Sequence, residues 1–370
     1  MRYKSSSLKD LINFISKGIV PKYANSYDEN VIRVINQRCN RNGEITFKEA
    51  RYSDLSKRKV TNEKLLKNKD ILINSTGKGT AGRVAQISEN QLTEPTTVDG
   101  HMIIIRPSEK IDPDYLGYAL KAQQRVIESY AEGSTGQTEI NKQRLLDETI
   151  IKYPSKEEQR KIANIFINLD MKIKNNQKIN TNLSMQVHVL FQKLISSSKL
   201  KKINISELYD IKYGKTLPKS KLSTSGIKVY GANGLIGYTE QESVINKPTV
   251  TITSRGSGSG FVSYIDEKNI FLTNNLLYLI DKKNVGLSFT YELLKSCKPQ
   301  QFVTGSAQPQ LTIKNLSQLN INIPDDKKIM DKFIKDTISF EKIIQKNKEE
   351  NVNLFNLKEI LLNKYFNLLN

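Results

Sequence analysis

Residues 155–198 read SKEEQRKIANIFINLDMKIKNNQKINTNLSMQVHVLFQKLISSS, and this stretch decides the fold. Alternating steps of four and three residues pick out Ile162, Phe166, Leu169, Ile173, Asn176, Asn180, Leu183, Val187, Leu190 and Leu194. Apolar residues at that spacing form one seam of a long helix and call for a partner helix. The same steps, 171 residues further on, give Phe333, Thr337, Phe340, Ile344, Asn347, Asn351, Leu354, Lys358, Leu361 and Tyr365. Both seams are interrupted by asparagine at the same two points, so the two helices are duplicated copies. A helix from Ser155 to Ser197 would be ~64 Å long at ~1.5 Å per residue and would outrun the domain it leaves. The copies are therefore predicted to pack on each other. The connection after Ser196-Ser197-Ser198 is too short to carry the chain back along the helix. That predicts an antiparallel pair, with Asn176 facing Asn351 and Asn180 facing Asn347. Buried asparagines at such a seam fix the register at a cost in stability.

The duplication extends outward from the helices. Gly133-Ser134-Thr135-Gly136-Gln137-Thr138-Glu139-Ile140 answers to Gly305-Ser306-Ala307-Gln308-Pro309-Gln310-Leu311 with a one-residue gap. Asn74 to Val84 answers to Ile252 to Val262, 178 residues later, and Leu11, Pro21 and Lys22 answer to Leu208, Pro218 and Lys219. The offset falls steadily, so the order is kept while loops differ in length. The extra residues of the first copy lie mostly between Lys22 and Asn74. Short β-branched runs at Asp70–Ile73 and Thr249–Ile252 read as strands, and Met102–Ile105 and Leu276–Ile280 are further strand candidates. Tyr115–Tyr130 and Thr290–Cys297 read as helices. Pro154 and Pro324 each close a strand-like run, Ile150–Tyr153 and Asn320–Ile323. Ser155 and Asp325-Asp326 then open the long helices, where hydroxyl and carboxylate groups satisfy free backbone N–H groups. The predicted class is α+β: mixed globular domains at 1–154 and 199–324, each followed by a long helix at 155–198 and 325–370. The two helices form an antiparallel coiled coil with pseudo-two-fold symmetry.

The chain has 370 residues and carries 57 basic against 38 acidic groups, a formal net charge of +19. The two globular segments hold +6 and +8 of it, so the excess belongs to folded domains and points to a polyanion such as nucleic acid. A generally lysine-rich composition is the competing explanation. Two cysteines, Cys39 and Cys297, and two histidines, His101 and His188, leave no zinc-like spacing. The densest apolar run, Met102–Ile105, is far too short to cross a bilayer. These features predict a soluble, cytoplasmic protein with no cofactor and no metal.

The motifs favour binding over catalysis. Ser75-Thr76-Gly77-Lys78-Gly79-Thr80 superficially matches a phosphate-binding P-loop. Leu72 stands where the first glycine belongs, however, and Gly79 follows the lysine where a hydroxyl should bind magnesium. What the two copies share is a glycine- and hydroxyl-rich loop with a cation: Ser75, Thr76, Lys78 and Arg83 in the first, Ser254, Arg255 and Ser257 in the second. Such loops offer N–H groups and short side chains to phosphate oxygens. A tight turn without a ligand is the alternative. Thr135, Gln137, Gln308 and Gln310 add side chains able to read base edges, although the segments holding them also suit a plain connection. Lys78, Arg83, Lys219 and Arg255 are expected to face DNA. His101 is expected to be a satisfied strand histidine and His188 a packing or surface residue. No methyltransferase signature or nuclease motif is visible.

Gly133-Ser134-Thr135-Gly136-Gln137, Ile150 to Pro154, Glu157-Glu158-Gln159-Arg160-Lys161-Ile162 and Tyr230-Gly231-Ala232-Asn233-Gly234-Leu235-Ile236-Gly237, in this tandem order, resemble the specificity subunits of type I restriction–modification enzymes. The second copy departs from the pattern at Pro324-Asp325-Asp326-Lys327-Lys328-Ile329, which lacks the Glu-Gln pair. The resemblance spans essentially the whole chain. It implies a non-catalytic DNA-recognition subunit with a bipartite double-stranded target, docked to two modification (methyltransferase) subunits and, in the full complex, to restriction (endonuclease) subunits. A stand-alone nuclease or methyltransferase with an unrecognised site, and a coiled-coil scaffold, are the other two readings of the residues.

Overall fold

The computed structural model describes residues 3–24, 30–133 and 138–366. The chain divides into two compact units, residues 1–173 with 352–370, and residues 174–351. This division differs from the boundaries expected from the sequence, because it cuts each long helix near its middle. Each half-helix packs within the unit it helps to build.

In the first unit, β1 (Lys4–Ser7), β2 (Ile12–Lys17), β3 (Val31–Ile35), β4 (Asn40–Arg41), β5 (Glu44–Ile45), β6 (Arg51–Asp54), β7 (Ile71–Asn74), β8 (Val84–Gln86), β9 (Thr96–Val98) and β10 (Met102–Pro107) precede the helices α1 (Pro113–Ala122) and α2 (Gln124–Glu128). The strand β11 (Ile150–Tyr153) follows them and leads into α3 (Lys156–Ser197). The main sheet is antiparallel in the order β2-β10-β7-β8. Its central strands β7 and β10 carry the runs read from sequence, and Ile71, Leu72, Ile73 and Met102 to Ile105 are fully buried. Buried on both faces, such strands read as continuous apolar runs and show no alternation. A second sheet, β6-β3-β9, joins β3 to β9 in parallel, and β1 pairs with β11. At α1, Asp112 accepts hydrogen bonds from the N–H groups of Asp114 and Tyr115, with Pro113 at the first helical position.

The second unit repeats this plan with β12 (Leu200–Asn204), β13 (Tyr209–Tyr213), β14 (Ile227–Gly231), β15 (Gly234–Thr239), β16 (Thr249–Thr253), β17 (Val262–Ile265), β18 (Phe271–Leu272) and β19 (Leu276–Asp281). The helix α4 (Leu287–Cys297) and the strand β20 (Asn320–Pro324) lead into α5 (Lys327–Phe366). Its sheets are ordered β13-β19-β16-β17 and β15-β14-β18, the latter again with one parallel pair, β14 with β18, and β12 pairs with β20. Strand for strand, the topology is that of the first unit. The hairpin β4–β5, which belongs to the longer first copy, and the short pair Ala131–Glu132 with Glu139–Ile140 are exceptions; the latter is reduced in the second unit to the single bridge of Thr304 with Gln310.

The long helices pair in opposite directions in both units. In the first, Phe166 of α3 lies 5.8 Å from Phe366 and 6.3 Å from Tyr365 of α5. In the second, Phe191 lies 6.2 Å from Phe333. Asn176 donates to Asn351 at 2.9 Å, and Asn347 donates to Asn180 at 2.8 Å. The two asparagine pairs are those read from the repeat. Ser155 accepts from the N–H of Glu158 at the start of α3, and Asp326 accepts from Lys328 at the start of α5. Among the described residues no helix is long and apolar enough to cross a membrane.

The start of α3 explains the Glu-Gln element. Gln159 is buried; it accepts from the N–H of Asp112 at 2.7 Å and donates to the Pro154 carbonyl at 2.9 Å, fixing the helix to its globule. The second copy has Met330 at the equivalent seam position, and it packs into an apolar cluster with Phe333, Ile323 and Val285. The departure from the motif is a polar lock replaced by apolar packing.

Candidate nucleic-acid interface

The glycine loop leaves the sheet at the end of β7. The N–H of Ser75 donates to the His101 carbonyl at 2.8 Å, and the Ser75 carbonyl accepts from Ile140 at 2.7 Å. Thr76 forms an antiparallel bridge with Glu139. In the second unit Ser254 donates to the Asn275 carbonyl and accepts from Leu311, both at 2.8 Å, while Arg255 bridges Gln310. The two motifs singled out in sequence, far apart along the chain, thus meet as neighbouring strands in each unit.

These bridges correct the sequence alignment of the loops. Ser75 corresponds to Ser254 and Gly77 to Gly256, an offset of 179, whereas Gly82 corresponds to Gly260, an offset of 178. The first loop is one residue longer. Gly82 (φ +87°) and Gly260 (φ +85°) hold the same place, since the N–H of each donates to the first residue of the loop, Asn74 or Thr253. A Cβ there would lie 2.7 Å from the Cα of Glu128 in the first unit and 2.6 Å from the N of Gln300 in the second, so only glycine fits. In this register Lys78 and Arg255 are not equivalent, and the position of Arg83 is held by Phe261. The loop recurs, but its cation has moved.

Of the candidate residues, Lys78, Arg255, Ser257 and Gln308 are exposed. Thr76 shares a 2.8 Å hydrogen bond with His101 Nδ1, and Arg83 donates to the Gly79 carbonyl at 3.1 Å. Gln310 is half-buried, its backbone exchanging two hydrogen bonds with Thr304 and closing the 304–310 loop that presents Gln308. Lys219 opens an exposed single turn, beyond Lys215, which bridges Thr273. Thr135 and Gln137 lie outside the described residues. Ser75 and Ser254 require correction. Both are 0% exposed, and their hydroxyls are directed at the carbonyls of Gly100 (3.5 Å) and Leu311 (2.9 Å). They support the loops from below and do not face a ligand. His101 lies in the exposed turn before β10, not in the strand, and His188 pairs with the buried Glu292 at 2.7 Å.

Sequence reasoning missed a cleft of about 1140 Å³ beside the first glycine loop. Arg38, Arg41, Arg83, Lys121, Arg125 and Lys358 line it. Arg38 and Arg41 come from the β4 region, Arg83 from the loop, Lys121 and Arg125 from α1 and α2, and Lys358 from α5. A signal did exist in sequence: 11 of the 12 arginines precede residue 161, leaving Arg255 alone in the rest of the chain. Lys358 is anchored 2.5 Å from Asp170, which also accepts from the Tyr118 hydroxyl. Burial, and then the nearby Lys358, pull the Lys121 ammonium down to about 8. Among the described residues no cluster of His, Cys, Asp and Glu could hold a metal ion.

The sequence matches the type I restriction modification DNA specificity domain twice, over residues 2–185 and 197–353. The chain belongs to that specificity family. Its members are the non-catalytic, DNA-recognising components of type I restriction–modification complexes, and they assemble with other subunits. The fold of this specificity subunit is similar to the crystal structure of the type I restriction–modification S subunit from M. genitalium. The TM-score is 0.62 at 19% identity, over 98% of this chain and 96% of the other. The HsdS subunit of Thermoanaerobacter tengcongensis aligns over 98% of this chain and 96% of its own at 13% identity, with a TM-score of 0.38. No curated protein sequence matches the specificity subunit.

Proposed function

We propose that this specificity subunit reads a split double-stranded DNA target in the cytoplasm, one half-site for each of the segments 1–154 and 199–324. Segments 155–198 and 325–370 set the spacing of the half-sites and dock two modification subunits; restriction subunits join when the complex cuts. The observation that carries this reading is the paired loop built twice by the same backbone bridges, Thr76 to Glu139 and Arg255 to Gln310. Identical scaffolding with different exposed side chains is what two readers of different sequences require. Thr76, Lys78, Arg83, Thr135 and Gln137 serve the first half-site. Lys219, Arg255, Ser257, Gln308 and Gln310 serve the second. Cations hold phosphates and carry no sequence information, whereas the glutamines and hydroxyls discriminate bases, at ~1–3 kcal/mol per good contact. The chain uses no cofactor of its own.

Exchange of residues 1–150 for the matching segment of a relative, followed by mapping of methylated sites in cells, tests the proposal. One half of the target should change and the other persist. A change in both halves would show that the segments are not separate readers.

A further inference from the structure

We propose that the arginine-lined cleft of the first unit is a clamp for consecutive DNA backbone phosphates, and that the second unit has no equivalent. The proposal rests on the DNA-binding reading above and deepens it. Among the described residues, Arg38, Arg41, Arg83 and Arg125 have no carboxylate within ion-pair distance. Of the other described arginines of the unit, Arg33, Arg106 and Arg160 each hold one carboxylate, Arg144 holds two, Arg51 lies over the Tyr23 ring, and Arg58, which also lacks one, stands away from this cleft. Four guanidinium groups without a carboxylate partner, from three separate elements, line one cleft beside the glycine loop, with Glu359 as the acid in its lining; Arg41 and Arg83 donate to the carbonyls of Arg38 and Gly79, which orients them. A cleft lined by one sign of charge concentrates anions. The planar fork of arginine suits phosphate oxygens better than an ammonium does. The anchoring of Lys358 on Asp170 supplies a fixed floor at the α5 side.

In the second unit a cleft of about 1090 Å³ lies against the matching faces of α3 and α4, reaches β12 and β20 and not the glycine loop, and has a different chemistry. Its cations are Lys193 and Lys295, and Phe191, Ile195 and Phe302 make it largely apolar; its histidine, His188, is engaged by Glu292. No hairpin matches β4–β5, which carries Arg41 next to Arg38. In place of Arg83 stands Phe261, 61% exposed. The two domains therefore differ in how they hold DNA as well as in what they read.

The test uses the full chain and a random-sequence duplex, with affinity followed against salt. Each phosphate contact contributes about 0.9 to the slope of log affinity against log salt, so the triple variant Arg38→Ala/Arg41→Ala/Arg125→Ala should lose roughly two to three from it. The control Arg58→Ala/Lys59→Ala/Lys67→Ala removes the same charge from exposed positions of the same unit and should change the slope by less than about one. Equal losses in the two variants, or none in the first, overturn the clamp. The variant Arg38→Lys/Arg41→Lys/Arg125→Lys guards against misfolding: it should keep most of the slope while binding more weakly. Inorganic tripolyphosphate distinguishes a backbone clamp from a small-anion pocket. If it binds the wild type as tightly as the duplex does, the site is not a clamp. Because the probe carries no chosen sequence, this result is independent of whether the domain exchange succeeds.

Discussion

At the scale of single residues, Lys121 shows how the first unit stores charge. Its ammonium lies 5.2 Å from the centre of the Tyr118 ring and shares that ring with Lys358, at 5.7 Å. Burial and the second cation lower its proton affinity in the folded chain to about 8, against about 10.4 for an unfolded lysine. Between those values the unfolded chain binds the extra proton, so the contribution of Lys121 to stability rises with pH. Thermal unfolding at a series of pH values should show this rise between about 8 and 10.4, and Lys121→Met should flatten it. At the same scale the sequence is least legible. Ser75 and Ser254 look like ligand residues because serine beside glycine and a cation is what a phosphate loop uses. Only the Ile140 and Leu311 bridges show that both have been folded inward. Gln159 was legible as part of a motif, but its bond to Asp112 was not, since nothing in the sequence joins residues that far apart.

At the scale of elements, the long helices were the most legible part of the chain. A seam repeated with its flaws specifies partner, direction and register together, and Asn176–Asn351 and Asn347–Asn180 form as that logic requires. Asn176→Ala should cost about 1–3 kcal/mol by leaving Asn351 buried without that partner. Asn176 also donates to Glu350 at 2.7 Å, so Asn176→Leu with Asn351→Leu should cost no more than the single variant in denaturant unfolding, while loosening the register. A double variant less stable than the single one would show that the asparagines contribute net stability, not specificity. The loops were legible in composition and not in register. One residue more in the first loop moves every correspondence before it, and glycine-rich sequence offers several equally good places for the gap. The bonds at Gly82 and Gly260 settle which is right.

At the scale of the whole molecule, the proposed role of the duplicated helices in setting the half-site spacing can be tested by insertion. Four residues inserted beside Asn176 and four beside Asn347 would add about one turn to both strands of the seam, ~6 Å along the axis. Methylation mapping should then find half-sites separated by about two further base pairs at ~3.4 Å each. Unchanged spacing would mean that the helices do not set it. The tandem plan of this molecule was legible because duplication supplies, within one chain, the comparison that a single sequence normally lacks. The arginine cleft was not, because its six cations come from distant segments that only the fold gathers.

The second unit is one continuous run, residues 174–351, whereas the first needs residues 352–370 as well as 1–173. Leu362 and Phe366 belong to the first hydrophobic core, with Phe366 lying 5.1 Å from the Tyr115 ring. A ribosome adds about 5–20 residues per second and usually finishes domains in the order they are encoded. Here that order is reversed: the domain begun first must hold its core open until the other has been made. A chain released after residue 351 should resist proteolysis in its second unit and be cut in its first.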